Sequence, residues 1–263
     1  MKNLQRKQIA FLFPSLLGLT AFFLVPLFYC IVFSVSRTFG RFRFAGLDNY
    51  LSLLGSRAFR LAYGNTFVLM TGYIAALLIL SLAVSYILER SRGTMAFLAV
   101  MSAAMFLPSV LIVKFVTILP GAAEKVPRLV FLFIFLWKHA GINALILRSA
   151  SNRMAPAWRE AAMIDGAGKG QFFRDVELFY LLPYLKFLFI FDTTCFFKLF
   201  RESYLLYGLY PPDGVYMIQN FFFNNFENAN YQRLSSGGTV AVLTLFAVNL
   251  LVYKAGEKRE ISQ

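Results

Sequence analysis

Six stretches of this chain are so long and so apolar that they dictate its solvent. They fall at about residues 9 to 36, 65 to 88, 97 to 118, 128 to 147, 185 to 205 and 235 to 253. A helix rises ~1.5 Å per residue and the hydrocarbon core of a bilayer is ~30 Å thick, so roughly 20 mostly apolar residues cross it. With 59% hydrophobic, 17% aromatic and 15% charged residues, the 263-residue chain has too little polar surface for a soluble domain of its size. The runs predict an all-α polytopic membrane protein with six transmembrane helices and both termini on one side. The first run is too long for a signal-peptide core and has no small-residue cleavage site before Arg37, so it reads as a retained helix.

Basic residues near span ends are held on the cytoplasmic side. With the termini inside, the inner segments carry fourteen Lys and Arg residues and the outer segments eight, the latter concentrated between Arg37 and Arg60. The predicted organisation is a cytoplasmic N-terminus (1–8), a six-helix transmembrane domain (9–253) with a long cytoplasmic loop (148–186), and a cytoplasmic tail (254–263). The net charge of +13 follows from that topology and from attraction to the anionic headgroups of membrane lipid, and nucleic acid is not an expected partner.

Cys30 and Cys195 fall inside apolar runs, where a thiol behaves as a small hydrophobe, and the lone His139 lacks the partners a metal centre would need, so it reads as a packed histidine. Pro14, Pro26 and Pro108 interrupt the first and third runs and predict kinks. Lys114, Lys138, Asp192 and Lys198 lie within runs, where a charge is costly unless it faces a cavity or a partner. Lys198 and Glu202 are four apart and can share a helix face with Phe200 and Tyr204, a surface of charge, hydroxyl and ring that suits a sugar. The bland alternative is a snorkelling lysine beside a solvated glutamate.

The inner loop is the most specific segment. Pro156 fits a first helical turn, Ala157 to Ile164 are good helix formers with Glu160 near the positive end of the helix dipole, and Gly166 stops the helix. From Gln171 the spacing of Phe172, Val176, Phe179 and Pro183 predicts an amphipathic helix entering the fifth run, with Arg174, Asp175 and Glu177 on polar faces. Ala161, Ala162, Gly166 and Ala167 let another surface approach the backbone closely.

The order Glu160-Ala161-Ala162, two further residues, Asp165-Gly166-Ala167, then Phe173 and Pro183, resembles the EAA loop of bacterial ABC-importer permeases. Phe179 stands where many relatives carry a first proline. Gly46-Leu47-Asp48-Asn49-Tyr50 and Gly64-Asn65-Thr66 resemble the same stretch of carbohydrate permeases, Trp137-Lys138 with Gly141-Ile142-Asn143 and Phe197 to Leu206 resemble the family's fourth span and the end of its fifth, and Tyr216 to Asn225 is similar to an outer loop of the maltose and multiple-sugar branch of the carbohydrate-uptake family (maltose, multiple-sugar, glycerol-phosphate). Without the Gly-rich basic tail of the other permease half, Lys254 to Gln263 resembles the first-permease type. The resemblance implies a type I importer permease in the bacterial plasma membrane. It implies as partners a second homologous permease, two ATP-binding cassette ATPase subunits and an extracytoplasmic sugar-binding protein.

By the same resemblance, Glu160, Ala161, Ala162, Asp165, Gly166, Ala167 and Phe173 couple to the ATPase, while Lys198, Phe200, Glu202 and Tyr204 are candidates for the translocation pathway. No Gly-x-x-x-x-Gly-Lys-Ser/Thr loop is present, so ATP and Mg are expected on the partner ATPases and no cofactor on this chain. The rival readings are an importer permease for a non-sugar solute, an integral-membrane enzyme and a secondary transporter.

Overall fold

A computed structural model of the chain describes residues 12–38, 42–88, 93–118 and 121–255. The expected N-terminal segment 1–8 and all but the first two residues of the tail 254–263 lie outside them. In hydrocarbon every backbone N–H and C=O must be paired within the protein, which favours continuous helix. The described residues accordingly form helices, joined by short turns and one isolated β-bridge between Ser36 and Phe44. We number them α1 Leu12–Ser34, α2 Asp48–Gly55, α3 Arg57–Ile87, α4 Thr94–Phe106, α5 Ser109–Thr117, α6 Ala122–Lys125, α7 Pro127–Ser151, α8 Pro156–Ile164, α9 Lys169–Tyr207, α10 Ile218–Glu227 and α11 Tyr231–Lys254.

Five of these, α1, α3, α7, α9 and α11, are each long and apolar enough to cross a membrane. The third apolar run is not a straight span: α4 and α5 meet at a 91° bend. Proline disfavours the helical conformation of the residue before it, and Leu107 is extended at ψ 134° with Pro108 at φ −58°, ψ 135°. The expected kink at Pro108 is therefore a full break, and six spans are reached only when the bent pair counts as one. Just before Pro26, α1 widens to a π-helical turn over Thr20–Leu24, while Pro183 is accommodated inside α9.

The chain divides into two compact units, one comprising the described residues of Met1–Arg60 and Phe221–Phe246, the other those of Leu61–Asn220 and Ala247–Gln263. In the first, the Gly46 to Tyr50 string does not cap α2 as its residue types suggest. Leu47 occupies the cap with no side-chain bond. Asn49 Nδ2 instead donates to the carbonyls of Ser34 (2.9 Å) and Ser36 (2.8 Å), and the Tyr50 hydroxyl reaches Ser34 Oγ at 2.6 Å. These bonds pin the chain leaving α1 onto α2.

In the second unit α7 buries Val130, Phe131, Ile134, Phe135 and Ala144 against its neighbours. Where α7 crosses α4, a Cβ built on Gly141 would lie 2.5 Å from the Met101 carbonyl carbon and 2.6 Å from the Ser102 nitrogen, so only glycine fits there. The Gly64-Asn65-Thr66 string also proves to be a latch. Asn65 Nδ2 donates to the carbonyls of Asp213 (2.5 Å) and Tyr216 (3.0 Å), and Thr66 Oγ1 accepts the Ile218 N–H at 2.8 Å. His139 packs as expected, its Nδ1 2.9 Å from the Phe135 carbonyl and its ring 4.8 Å from that of Phe135.

Candidate functional site

The loop between α7 and α9 is built from local signals. Ala155 is extended (φ −59°, ψ 129°), as the residue before a proline should be, and Pro156 opens α8 at its first position, where a missing N–H costs nothing. At the far end Gly166 has φ +77°. Its N–H donates to the Met163 carbonyl (3.1 Å) and the Ala167 N–H to the Ala162 carbonyl (2.9 Å), a Schellman pair that closes the helix by using a left-handed residue. No residue of α8 is buried. Glu160, Ala161, Asp165 and Gly166 are exposed, Ala162 and Ala167 half-buried, and Ile164 is 86% exposed.

Two expectations for this loop change. Glu160 lies in the second turn of α8, and no acid occupies the first, so the dipole does not account for it. The α-helical register read from Gln171 onward is broken by a π-helical turn over Phe173–Glu177, in which Leu178 N–H bonds the Phe173 carbonyl. Bonds from i to i+5 bring residues five apart onto one face, so Phe172 and Glu177 are both buried while Phe179 is exposed. Phe173 turns to the chain's own α3, its ring 4.8 Å from that of Tyr86. It anchors the loop to a membrane helix. Arg159 stands over the Phe172 ring at 5.4 Å and, with Lys169, Met163 and Glu177, lines an open cleft of about 240 Å³ between α8 and the start of α9.

The intramembrane polar residues sort differently from the sequence pattern. At Lys198 and Leu199 the backbone tightens, with Lys198 N–H bonded to Cys195 O, Leu199 N–H to Phe196 O and Arg201 N–H to Lys198 O. Three-residue bonds replace four-residue ones, which rotates Glu202 inward and leaves Lys198 exposed. Lys198 and Glu202 therefore do not share a face as their spacing predicts. Glu202 Oε1 instead receives Lys138 Nζ of α7 at 2.8 Å and Ser109 Oγ of α5 at 2.9 Å, with both charged side chains almost fully enclosed. The Phe200 ring lies near that of Tyr204, centroids 6.1 Å apart and planes tilted by 39°. Deeper in the same unit Asn143 Nδ2 donates to Asp192 Oδ2 at 2.7 Å.

The reading from sequence named Lys138, Asp192 and Glu202 but not their partners. The available signal was charge balance, a buried lysine requiring a buried acid in another span. Removing one member of such a pair strands the other: Lys138→Met is expected to cost about 3 to 5 kcal/mol, and Lys138→Met with Glu202→Gln to recover most of it. Thermal unfolding of the detergent-solubilised variants checks this, and equal losses in the single and double variants would refute it.

No family model matches the chain. It is similar to the multiple sugar-binding transport system permease protein MsmF of Streptococcus mutans, 26% identical over 277 residues covering 95% of each chain. It is also similar to the arabinooligosaccharides transport system permease protein AraP of Bacillus subtilis, 22% identical over 273 residues, 92% of this chain and 86% of that one. Among solved structures it superimposes on a chain of a bacterial ABC transporter that imports the acidic polysaccharide alginate, with a TM-score of 0.80, 16% identity and 98% of both chains covered. The same fold matches that transporter in complex with a periplasmic protein bound to an alginate pentasaccharide, again at a TM-score of 0.80, with 98% of this chain and 96% of that one covered.

Proposed function

We infer that the chain is a membrane-embedded permease subunit of a carbohydrate ABC importer, working with a second permease, two ATPase subunits and an extracytoplasmic sugar-binding protein. The observation that carries this reading is α8, a nine-residue helix with no buried residue yet fixed at both ends, in a chain that matches sugar-transport permeases along 92–95% of its length. A helix with no buried residue is a poor contributor to its own chain's stability and a good contact for another protein. Ala161 and Ala162 allow close approach, Glu160 offers a carboxylate, and Ile164 and Met163 supply apolar surface.

Force applied to α8 has two rigid exits. One runs through Pro156 into α7, and the other through the Gly166 turn into α9, where Phe173 on Tyr86 and the buried Phe172 anchor it. These helices carry Lys138 and Glu202, whose ion pair joins them to each other and, through Ser109, to α5. ATP-driven movement at α8 thus reaches the outer half of the pathway through two helices without requiring this chain to bind nucleotide. The reading assigns it no bond chemistry; ATP and Mg belong to the partner ATPases. Both termini and α8 lie in the cytoplasm, as the distribution of Lys and Arg supports.

A single preparation tests orientation and docking together. A cysteine replacing Glu160 is expected to react with an impermeant maleimide only from the cytoplasmic side and to lose that reactivity when ATPase subunits are bound. One replacing Asp48, whose side chain is 65% exposed, reacts only from outside. In the same proteoliposomes, saccharide delivered by the binding protein stimulates ATP hydrolysis. Labelling of both positions from one side, or a Glu160 cysteine indifferent to the ATPase, would overturn the reading.

A further inference from the structure

The tight turn that sends Glu202 inward leaves a second consequence on the opposite face. Lys198 and Arg201 are both exposed, three residues apart in a stretch held by i-to-i+3 bonds, a geometry that stacks their side chains one above the other. Like charges so placed repel. Among the described residues neither side chain forms an ion pair or a hydrogen bond, and the acid beside them in sequence, Glu202, is enclosed and committed to Lys138 and Ser109. One turn further on, the same exposed face presents the Tyr204 ring and hydroxyl, flanked by Phe200.

Lys198 stands nine residues before the end of α9 at Tyr207, roughly 13 Å along a helix, and both it and Arg201 fall within the apolar run read at about residues 185 to 205. Two neighbouring cations inside such a run are tolerated where they face a wet cavity or an anion. The face also carries what a sugar ring needs, an aromatic surface with a hydroxyl beside the charges.

We propose that Lys198 and Arg201, with Tyr204, form a recognition stripe for a carboxylate-bearing saccharide, so that the cargo of this importer is an acidic sugar rather than a neutral one. The inference rests on the permease reading and narrows it to a substrate class. The guanidinium of Arg201 takes a carboxylate by two parallel hydrogen bonds, Lys198 adds a point charge one turn deeper, and Tyr204 packs on the ring that bears the group. Glu202 belongs to the scaffold that aims the stripe. Held by Lys138 and Ser109, it cannot neutralise the two cations.

The test uses the complete importer in proteoliposomes, supplied with an oligouronide or with a neutral oligoglucoside of the same length. Wild type is expected to take up the oligouronide in preference. Lys198→Gln and Arg201→Gln should each reduce the uptake ratio of uronide to neutral sugar about tenfold, the size of one lost charge-assisted contact, and Lys198→Arg should retain it. The change should appear in KM for the uronide and be the same in zwitterionic and anionic liposomes. A preference for the neutral sugar, an unchanged ratio in both glutamine variants, or a loss that disappears when anionic lipid is removed would overturn the proposal, the last by assigning the stripe to lipid phosphate. Failure of every saccharide to stimulate ATP hydrolysis in wild type would instead bring down the permease reading itself.

Discussion

Replacing Gly141 with valine is expected to prevent the folded protein from accumulating, and even alanine should lower its thermal stability markedly. A Cβ at this position would sit 2.5 Å from the Met101 carbonyl carbon and 2.6 Å from the Ser102 nitrogen. Both are backbone atoms, which cannot rotate away as a side chain can. Overpacking that side chains absorb costs about 1 to 3 kcal/mol, so a clash with backbone belongs above that range. It takes up a large share of a total stability of about 5 to 15 kcal/mol.

The damage would also spread to the site. Met101 and Ser102 lead into the bend at Pro108, and Ser109 just beyond it holds Glu202. Displacing α4 therefore loosens the ion pair between α7 and α9. Gly72→Ala in α3 is the control: nothing lies within 4 Å of its Cβ, and alanine is the better helix former by ~1 kcal/mol. Size-exclusion profiles and unfolding midpoints of both alanine variants decide the matter. A Gly141→Ala protein as stable as Gly72→Ala would mean that α4 and α7 do not meet at this glycine.

What was legible in the sequence was what depends on neighbours along the chain. Pro156 and Gly166 mark the ends of α8 because proline fits a helix start and glycine accepts φ +77°, and both signals act within one turn. The apolar runs located the long helices because hydropathy sums over 20 residues regardless of what lies across the fold. That same averaging gave no measure of the bend read at Pro108 only as a kink, since Leu107 and Pro108 alter two dihedrals without altering the apolar character of the run. Helical periodicity failed at Phe173–Glu177 because a π turn changes the period itself, sending Glu177 inward and Phe179 outward.

Pairing across elements was the least accessible. Nothing near Glu202 points to a lysine 64 residues earlier, while the tempting partner four residues away is lost to backbone tightening at Lys198 and Leu199, where ψ is −17° and −16°. The strings that carried the resemblance gave no hint of what their polar side chains bond. Asn49, Asn65 and Thr66 serve as side-chain latches onto backbone that lies outside their own helices.

Gly166→Val is expected to leave insertion and abundance near wild type while abolishing either ATPase-subunit retention or the dependence of ATP hydrolysis on saccharide. The two glycines make opposite demands. At Gly166 nothing lies within 4 Å of a Cβ, so the penalty is confined to the backbone, where φ +77° sets a β-branched side chain against its own carbonyl at a cost of about 1 to 2 kcal/mol.

The long helices, which α8 touches through Arg159 on Phe172 and Trp158 on Tyr180 and to which it contributes no buried residue, withstand that cost. The Schellman pair does not: once residue 166 leaves the left-handed region, the bonds from its N–H to Met163 and from Ala167 to Ala162 are lost, and α8 points elsewhere. Asparagine tolerates the left-handed conformation, so Gly166→Asn should retain most of the coupling and Gly166→Ala an intermediate fraction. Purification of each variant with its partners gives ATPase stoichiometry and saccharide-dependent turnover in one experiment. Coupling that ranks glycine, asparagine, alanine and valine in descending order identifies the turn as the element that aims α8; wild-type values for valine would reduce the loop to a connector and remove α8 from the path between ATP and cargo.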